Sequence, residues 1–151
     1  MRDAFGGIVN ISMIVVFLVI VSGYLAFNVS YTKAFRVKNK IITTIEQYEG
    51  LCEKNSECSD IIDEYIRSIG YNPSDKVKVK TPNGCIDPPV HNPQDNGYFI
   101  VKCGGTDDID NQKVYYKVIT FIDIKIPIIN EVMSGMHIFE VSGNTKLIRE
   151  R

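Results

Sequence analysis

The residues of this chain with the clearest capacity for chemistry are four cysteines. Cys52 and Cys58 bound a short loop, CEKNSEC, and Cys85 and Cys103 lie further along, with seventeen residues between them. An even cysteine count in a domain outside a membrane reads as two disulfides. Four cysteines permit three pairings. Cys52 with Cys58 and Cys85 with Cys103 is the preferred set, because each bridge then closes a local loop. A structural zinc site instead needs pairs of closely spaced cysteine knuckles, and neither spacing here supplies them.

Other reactive residue types are scattered. His91 sits in a proline-rich loop (PPVHNP) and His137 opens a strand-like run. No serine or cysteine stands in a pattern that would make either the base of a nucleophile. Asp107, Asp108, Asp110 and Asn111 gather oxygen ligands on one loop, but the spacing and closing glutamate of a calcium loop are missing, so a solvated turn is the expectation. Gly104-Gly105 is a turn signal, with no phosphate-binding pattern around it. Asn28-Val29-Ser30 fits a glycosylation acceptor but lies against an apolar segment. The expectation is therefore a chain with no metal, no cofactor and no catalytic constellation. Its 17 Lys and Arg against 18 Asp and Glu argue against a nucleic-acid partner, which would require a basic excess.

The elements that must position these residues begin with an apolar block. Ile8 to Phe27 carries no charge and no proline. Twenty such residues at about 1.5 Å each match the roughly 30 Å hydrocarbon core of a bilayer. A cleaved signal peptide would show a basic start, a shorter run and a small-x-small cleavage site; here Arg2 is offset by Asp3 and no such site follows. The expectation is a retained span. Asn10, Ser12, Ser22 and Gly23 are its candidate residues for helix–helix packing in the membrane, since small and polar side chains permit close approach. Lys33, Arg36, Lys38 and Lys40 come after the span, and the positive-inside rule would place the C-terminal part of the chain in the cytoplasm. The cysteines point to the opposite side and carry the expectation of an extracytoplasmic head.

No glycine or proline interrupts the chain from Tyr24 to Glu49. Ala34, Val37, Ile41, Ile45 and Tyr48 recur at helical spacing, widened by Phe35 and Ile42, so the helix should continue amphipathically to Glu49 and stop at Gly50. A joint near Asn28 to Ser30 is the alternative. Ser59 or Asp60 should cap a second helix with Ile61, Ile62, Tyr65, Ile66 and Ile69 on its apolar face and Gly70 at its end. Residues 72–97 hold five of the six prolines, with Val77 and Val79 alternating among Lys76, Lys78 and Lys80 like an edge strand. Tyr98–Cys103 and Val114–Ile126 read as strands, the second with Val114, Tyr116, Val118, Ile122, Ile124 and Ile126 on one face and Ile119 and Phe121 on the other. Ile128 to Met133 reads as a short helix. His137–Val141 and Lys146–Ile148 flank Ser-Gly-Asn-Thr, which reads as a hairpin turn. The organisation is thus a short flank (1–7), a transmembrane helix (8–28), an amphipathic extension (29–50) and an α+β head (51–151), with the long helix laid on a small antiparallel sheet.

An uninterrupted apolar N-terminal helix, an amphipathic extension and a small disulfide-bearing sheet domain resemble the type IV pilin-like proteins, especially the minor pseudopilins of Tad-type systems in Gram-positive bacteria. The resemblance covers the first 50 residues and the order of elements. Ile11, Ser12 and Met13 occupy the stretch where pilins usually carry a glutamate, so no site residue is carried over from the family. It implies a pilin-like fold and a structural, non-enzymatic role in an envelope, secretion or pilus-type assembly. The bilayer and other pilin-like or envelope proteins would be its partners, met through the N-terminal helix. The alternative is a membrane-anchored surface binding protein, adhesin- or receptor-like, with Tyr115, Phe121 or the lysine-rich edge as its contact surface.

Overall fold

Proline is absent between Arg2 and Gln47, and an internal glycine costs a helix only about 1 kcal/mol against roughly 3 for proline. In the computed structural model, which describes residues 2–50, 52, 56–72, 81–86, 97–104, 113–123 and 138–149, this stretch is one continuous helix, α1 (Arg2–Gln47). It is 46 residues long, or about 70 Å. Helix thus begins within the expected flank, since Gly6 and Gly7 weaken it without stopping it. There is no joint at Asn28 to Ser30. The Asn28 amide donates to the Tyr24 carbonyl (2.9 Å) and the Thr32 hydroxyl donates to the Asn28 carbonyl (2.8 Å), so the polar groups are absorbed by the helix itself. The helix ends two residues short of the expected stop. Tyr48 N–H still reaches the Thr44 carbonyl, and Glu49 takes the left-handed conformation (φ 49°) that Gly50 was expected to provide.

The second helix, α2 (Glu57–Ser68), starts earlier than its sequence suggests. Ser56 is the N-cap, and its hydroxyl accepts from Ser59 N–H (3.3 Å), which places Cys58 in the first turn, bonded to Cys52. Its other end matches expectation. Gly70 (φ 61°) closes it, with Tyr71 N–H on the Ile66 carbonyl and Gly70 N–H on the Arg67 carbonyl, a Schellman pattern.

Three antiparallel strands form the sheet in the order β1 (Tyr98–Cys103), β2 (Lys113–Asp123), β3 (Ile138–Asn144), with β4 (Ile148–Arg149) also paired to β2. The expected hairpin at Ser142–Thr145 is absent. β3 and β4 do not pair with each other; both run along β2, which makes them one edge strand interrupted by an extra residue. Thr145 explains the interruption. Its N–H donates to the Tyr116 carbonyl (2.9 Å), and its hydroxyl accepts from Tyr116 N–H (2.9 Å), standing where a strand carbonyl would be.

The two faces of the sheet bury different sets. Ala34, Val37, Ile41 and Ile45 of α1 and Ile62 and Ile66 of α2 pack with Tyr98, Ile100, Val114, Tyr116, Val118 and Ile122. Tyr48 lies outside this stripe, 45% exposed, while Thr44 is buried and bonds back to the Lys40 carbonyl (2.8 Å). On the opposite face Phe99, Val101, Cys103, Ile119 and Phe121 form a second cluster, with Cys85 bonded to Cys103 at its side. The fold is α+β: the long helix lies on one face of a small antiparallel sheet, and the short helix packs against the long one.

Candidate membrane interface

Burial along α1 divides the helix. From Gly7 to Lys33 no residue is buried; from Ala34 onward a stripe of the helix is fully covered. The uncovered part is the apolar part. Met13 is 73% and Phe17 64% exposed, and so are Ile8, Val9, Ile11, Ile14 and Leu18 by more than half. A soluble domain does not present so long a run of large hydrophobic side chains on all sides of a helix. Among the described residues, α1 is the one helix long and apolar enough to cross a membrane.

The four residues expected to pack helices do not lie on one face. At about 100° per residue, Ser12 and Gly23 fall on nearly the same side, the side that continues into Ala34, Val37 and Ile41. Ser22 stands a quarter-turn or so away, and Asn10 lies on the far side. The Ser22 hydroxyl donates to the Leu18 carbonyl (2.7 Å), so its polar group is satisfied within α1 and does not require a neighbour.

Where the apolar stretch gives way to the head, the structure gathers aromatic rings that sequence reasoning did not connect; Phe35, expected to widen the stripe facing the head, lies outside the core. Phe27, Tyr31 and Phe35 stack successively along one flank of α1, with ring centroids 6.2 and 6.1 Å apart. Phe139 of β3 meets Phe27 edge-on at 6.3 Å. The Lys38 ammonium lies 4.2 Å over the Phe35 ring. All four rings keep between 36% and 47% of their surface exposed. The sequence signal was aromatics four apart at 27, 31 and 35; the partner from β3 was not legible there.

The head is tied to the helix by polar contacts as well as by packing. The Thr120 hydroxyl, fully buried, lies 3.0 Å from the Ala34 carbonyl and 3.2 Å from that of Val141, bridging β2 to both neighbours. Lys33 Nζ donates to the Gly70 carbonyl at the end of α2 (3.3 Å). The Glu46 carboxylate accepts from Lys146 N–H (2.9 Å), with Lys146 Nζ 3.9 Å away, at the rim of an open cleft of about 530 Å³ lined by Thr43, Gln47, Glu49, Leu147 and Ile148. The carboxylate thereby clamps the chain before β4 to the end of α1.

Comparison with protein families, with curated proteins and with solved structures found no match.

Of the other candidates, Cys52–Cys58 and Cys85–Cys103 are both bonded, and no free cysteine is found among the described residues. Two such bridges are the chemistry of an oxidising compartment. Among the described residues no three His, Cys, Asp or Glu side chains converge as metal ligands. His91, His137, the Asp107–Asn111 loop, the Lys76–Lys80 edge, Ile124, Ile126 and the short helix at 128–133 lie outside the described residues. Two proposed contact aromatics are corrected. Phe121 is 1% exposed and Tyr115 is partly buried against the same cluster, because the sheet face opposite α1 holds its own apolar core.

Proposed function

We propose that this chain is a single-pass, membrane-anchored structural protein with an extracytoplasmic head, a pilin-like (pseudopilin) component of a bacterial envelope, secretion or pilus-type assembly. One observation carries the reading: a single unbroken helix with no buried residue from Gly7 to Lys33, whose remainder is the backbone of a disulfide-bearing α+β head. A rigid element shared between lipid and head transmits position from one to the other, and that is the work of an anchor or scaffold. Neighbouring envelope proteins would meet it through the apolar helix, where shape and small residues such as Ser12 and Gly23 govern approach. The two disulfides favour the extracytoplasmic side over the cytoplasmic placement suggested by Lys33, Arg36, Lys38 and Lys40, because the positive-inside rule loses force when a whole domain is translocated.

Thiol labelling of intact cells tests the topology. A cysteine introduced at exposed Thr43 should react with a membrane-impermeant maleimide before lysis, and the four native cysteines should stay unreactive until reduced. Labelling of Thr43→Cys only after lysis would place the head in the cytoplasm and remove the envelope role.

A further inference from the structure

The apolar stretch and the head are closer than a stalk would make them. From Ile8 to Phe27 the helix rises about 30 Å, the thickness of the hydrocarbon core. The polar layer beyond that core is only about 5–8 Å deep on each side. Tyr31 lies about 6 Å and Phe35 about 12 Å above Phe27 along the axis. The stacked rings therefore start at the edge of the hydrocarbon with Phe27, cross the headgroup layer at Tyr31 and pass just beyond its outer limit at Phe35. Tyrosine and tryptophan, with one apolar and one polar end, collect at that depth in membrane proteins; Tyr31 is such a residue, and the three phenylalanines around it add apolar surface.

Phe139 makes the consequence specific to the head. It belongs to β3, and its ring lies against Phe27. The helix-facing residues of β3 follow α1 away from that point: the Val141 carbonyl shares the Thr120 hydroxyl with that of Ala34, and Gly143 approaches Lys38 and Ile42 so closely that a Cβ there would sit 2.9 Å from Ile42 Cδ1. Phe139 is thus held at the level of Phe27 by the whole length of β3. Cations follow on the next turns at Lys33, Arg36 and Lys38, at and beyond the outer side of that layer, and the Lys38 ammonium reaches over the Phe35 ring.

We propose that Phe27, Tyr31, Phe35 and Phe139 form an interfacial foot that seats the head directly in the lipid headgroup layer, with the start of β3 dipping to the edge of the hydrocarbon. This rests on the membrane-anchor reading above and adds the depth and contact surface of the head. The head then has a fixed orientation on the bilayer, with the start of β3 and the end of β2 paired to it turned toward the lipid.

The chain has no tryptophan, so a single introduced indole reports its own depth. Phe17→Trp, Phe139→Trp and Tyr48→Trp are placed in full-length protein in phosphatidylcholine–phosphatidylglycerol bilayers, with the lipids brominated either deep in the chain or near the glycerol. Phe17→Trp should be quenched best by deep bromines. Phe139→Trp should lose about half its emission to shallow bromines, as an interfacial aromatic would, and Tyr48→Trp should be unaffected. A Phe139→Trp signal as insensitive as that of Tyr48→Trp, with Phe17→Trp still quenched, overturns the foot and leaves the anchor standing. Loss of quenching at Phe17→Trp overturns the anchor itself. An unquenched, blue-shifted Phe139→Trp emission that shifts red on dilution into excess lipid assigns the surface to a second copy of this chain and overturns the lipid assignment. Glu140→Trp, the exposed neighbour on β3, supplies the same readout should Phe139→Trp not fold.

Discussion

The phenol of Tyr71 occupies the place of one rung in the ladder between β1 and β2. Gly97 and Phe121 are the register pair next to Tyr98 and Thr120, and the Tyr71 hydroxyl stands between them: it donates to the Gly97 carbonyl (2.9 Å) and accepts from Phe121 N–H (2.8 Å). Thr145 does the equivalent on the other side of β2, where its hydroxyl receives Tyr116 N–H. Both side chains are buried, so removing the oxygen strands a backbone amide away from water. Tyr71→Phe should therefore destabilise the head by about 1–3 kcal/mol, the cost of an unmet buried donor. Urea or thermal unfolding of the detergent-solubilised protein reads this directly, and a variant unfolding like the parent would show that Phe121 N–H finds another acceptor. None of this was legible in the sequence. Tyr71 comes just after a helix-ending glycine and looks like a loop residue, and its partner lies fifty positions away.

At the scale of elements, the helix ends show how far local rules reach. Gly70 closes α2 as its type predicts, because a glycine in the left-handed region costs nothing there. The end of α1 breaks the pattern: Glu49, not Gly50, takes the positive φ. A side chain in that region costs about 1–2 kcal/mol, partly offset by the entropy a glycine would lose on folding. Glu49→Gly should then stabilise the protein by about 0.5–1 kcal/mol, seen as a higher unfolding midpoint with an unchanged denaturant slope. A lower midpoint would mean that the Glu49 side chain contributes to the fold at its cleft. The strands were readable as strands, since Tyr98–Cys103 matches its apolar run residue for residue. Their partners were not. Ser-Gly-Asn-Thr carries turn chemistry, yet Gly143 serves close approach to Lys38 and Ile42, and Thr145 serves a bulge.

For the whole molecule, the division of α1 into a naked half and a covered half dictates behaviour in solution. Among the described residues none between Gly7 and Lys33 is buried, and the large apolar side chains from Ile8 to Leu18 are more than half exposed. Full-length protein should remain monodisperse only in detergent or lipid, and sedimentation after detergent removal should show aggregation or vesicle association. A monodisperse detergent-free species would defeat the anchor reading. The apolar run, its continuation into an amphipathic helix and the α+β plan were legible in the sequence alone, because each rests on composition or on periodicity within a few residues; the pairing of the four cysteines was only preferred there and is fixed by the structure. The structure alone decided three things: that the second face of β2 is buried and hides Phe121, that β3 and β4 are one bulged edge along β2, and that Phe139 lies on Phe27 at the mouth of the apolar helix. The physical reason is the same in each case. Helix and strand tendencies are local, whereas the choice of which face is covered and which rings meet depends on contacts between residues far apart in the chain, and no short-range pattern encodes them.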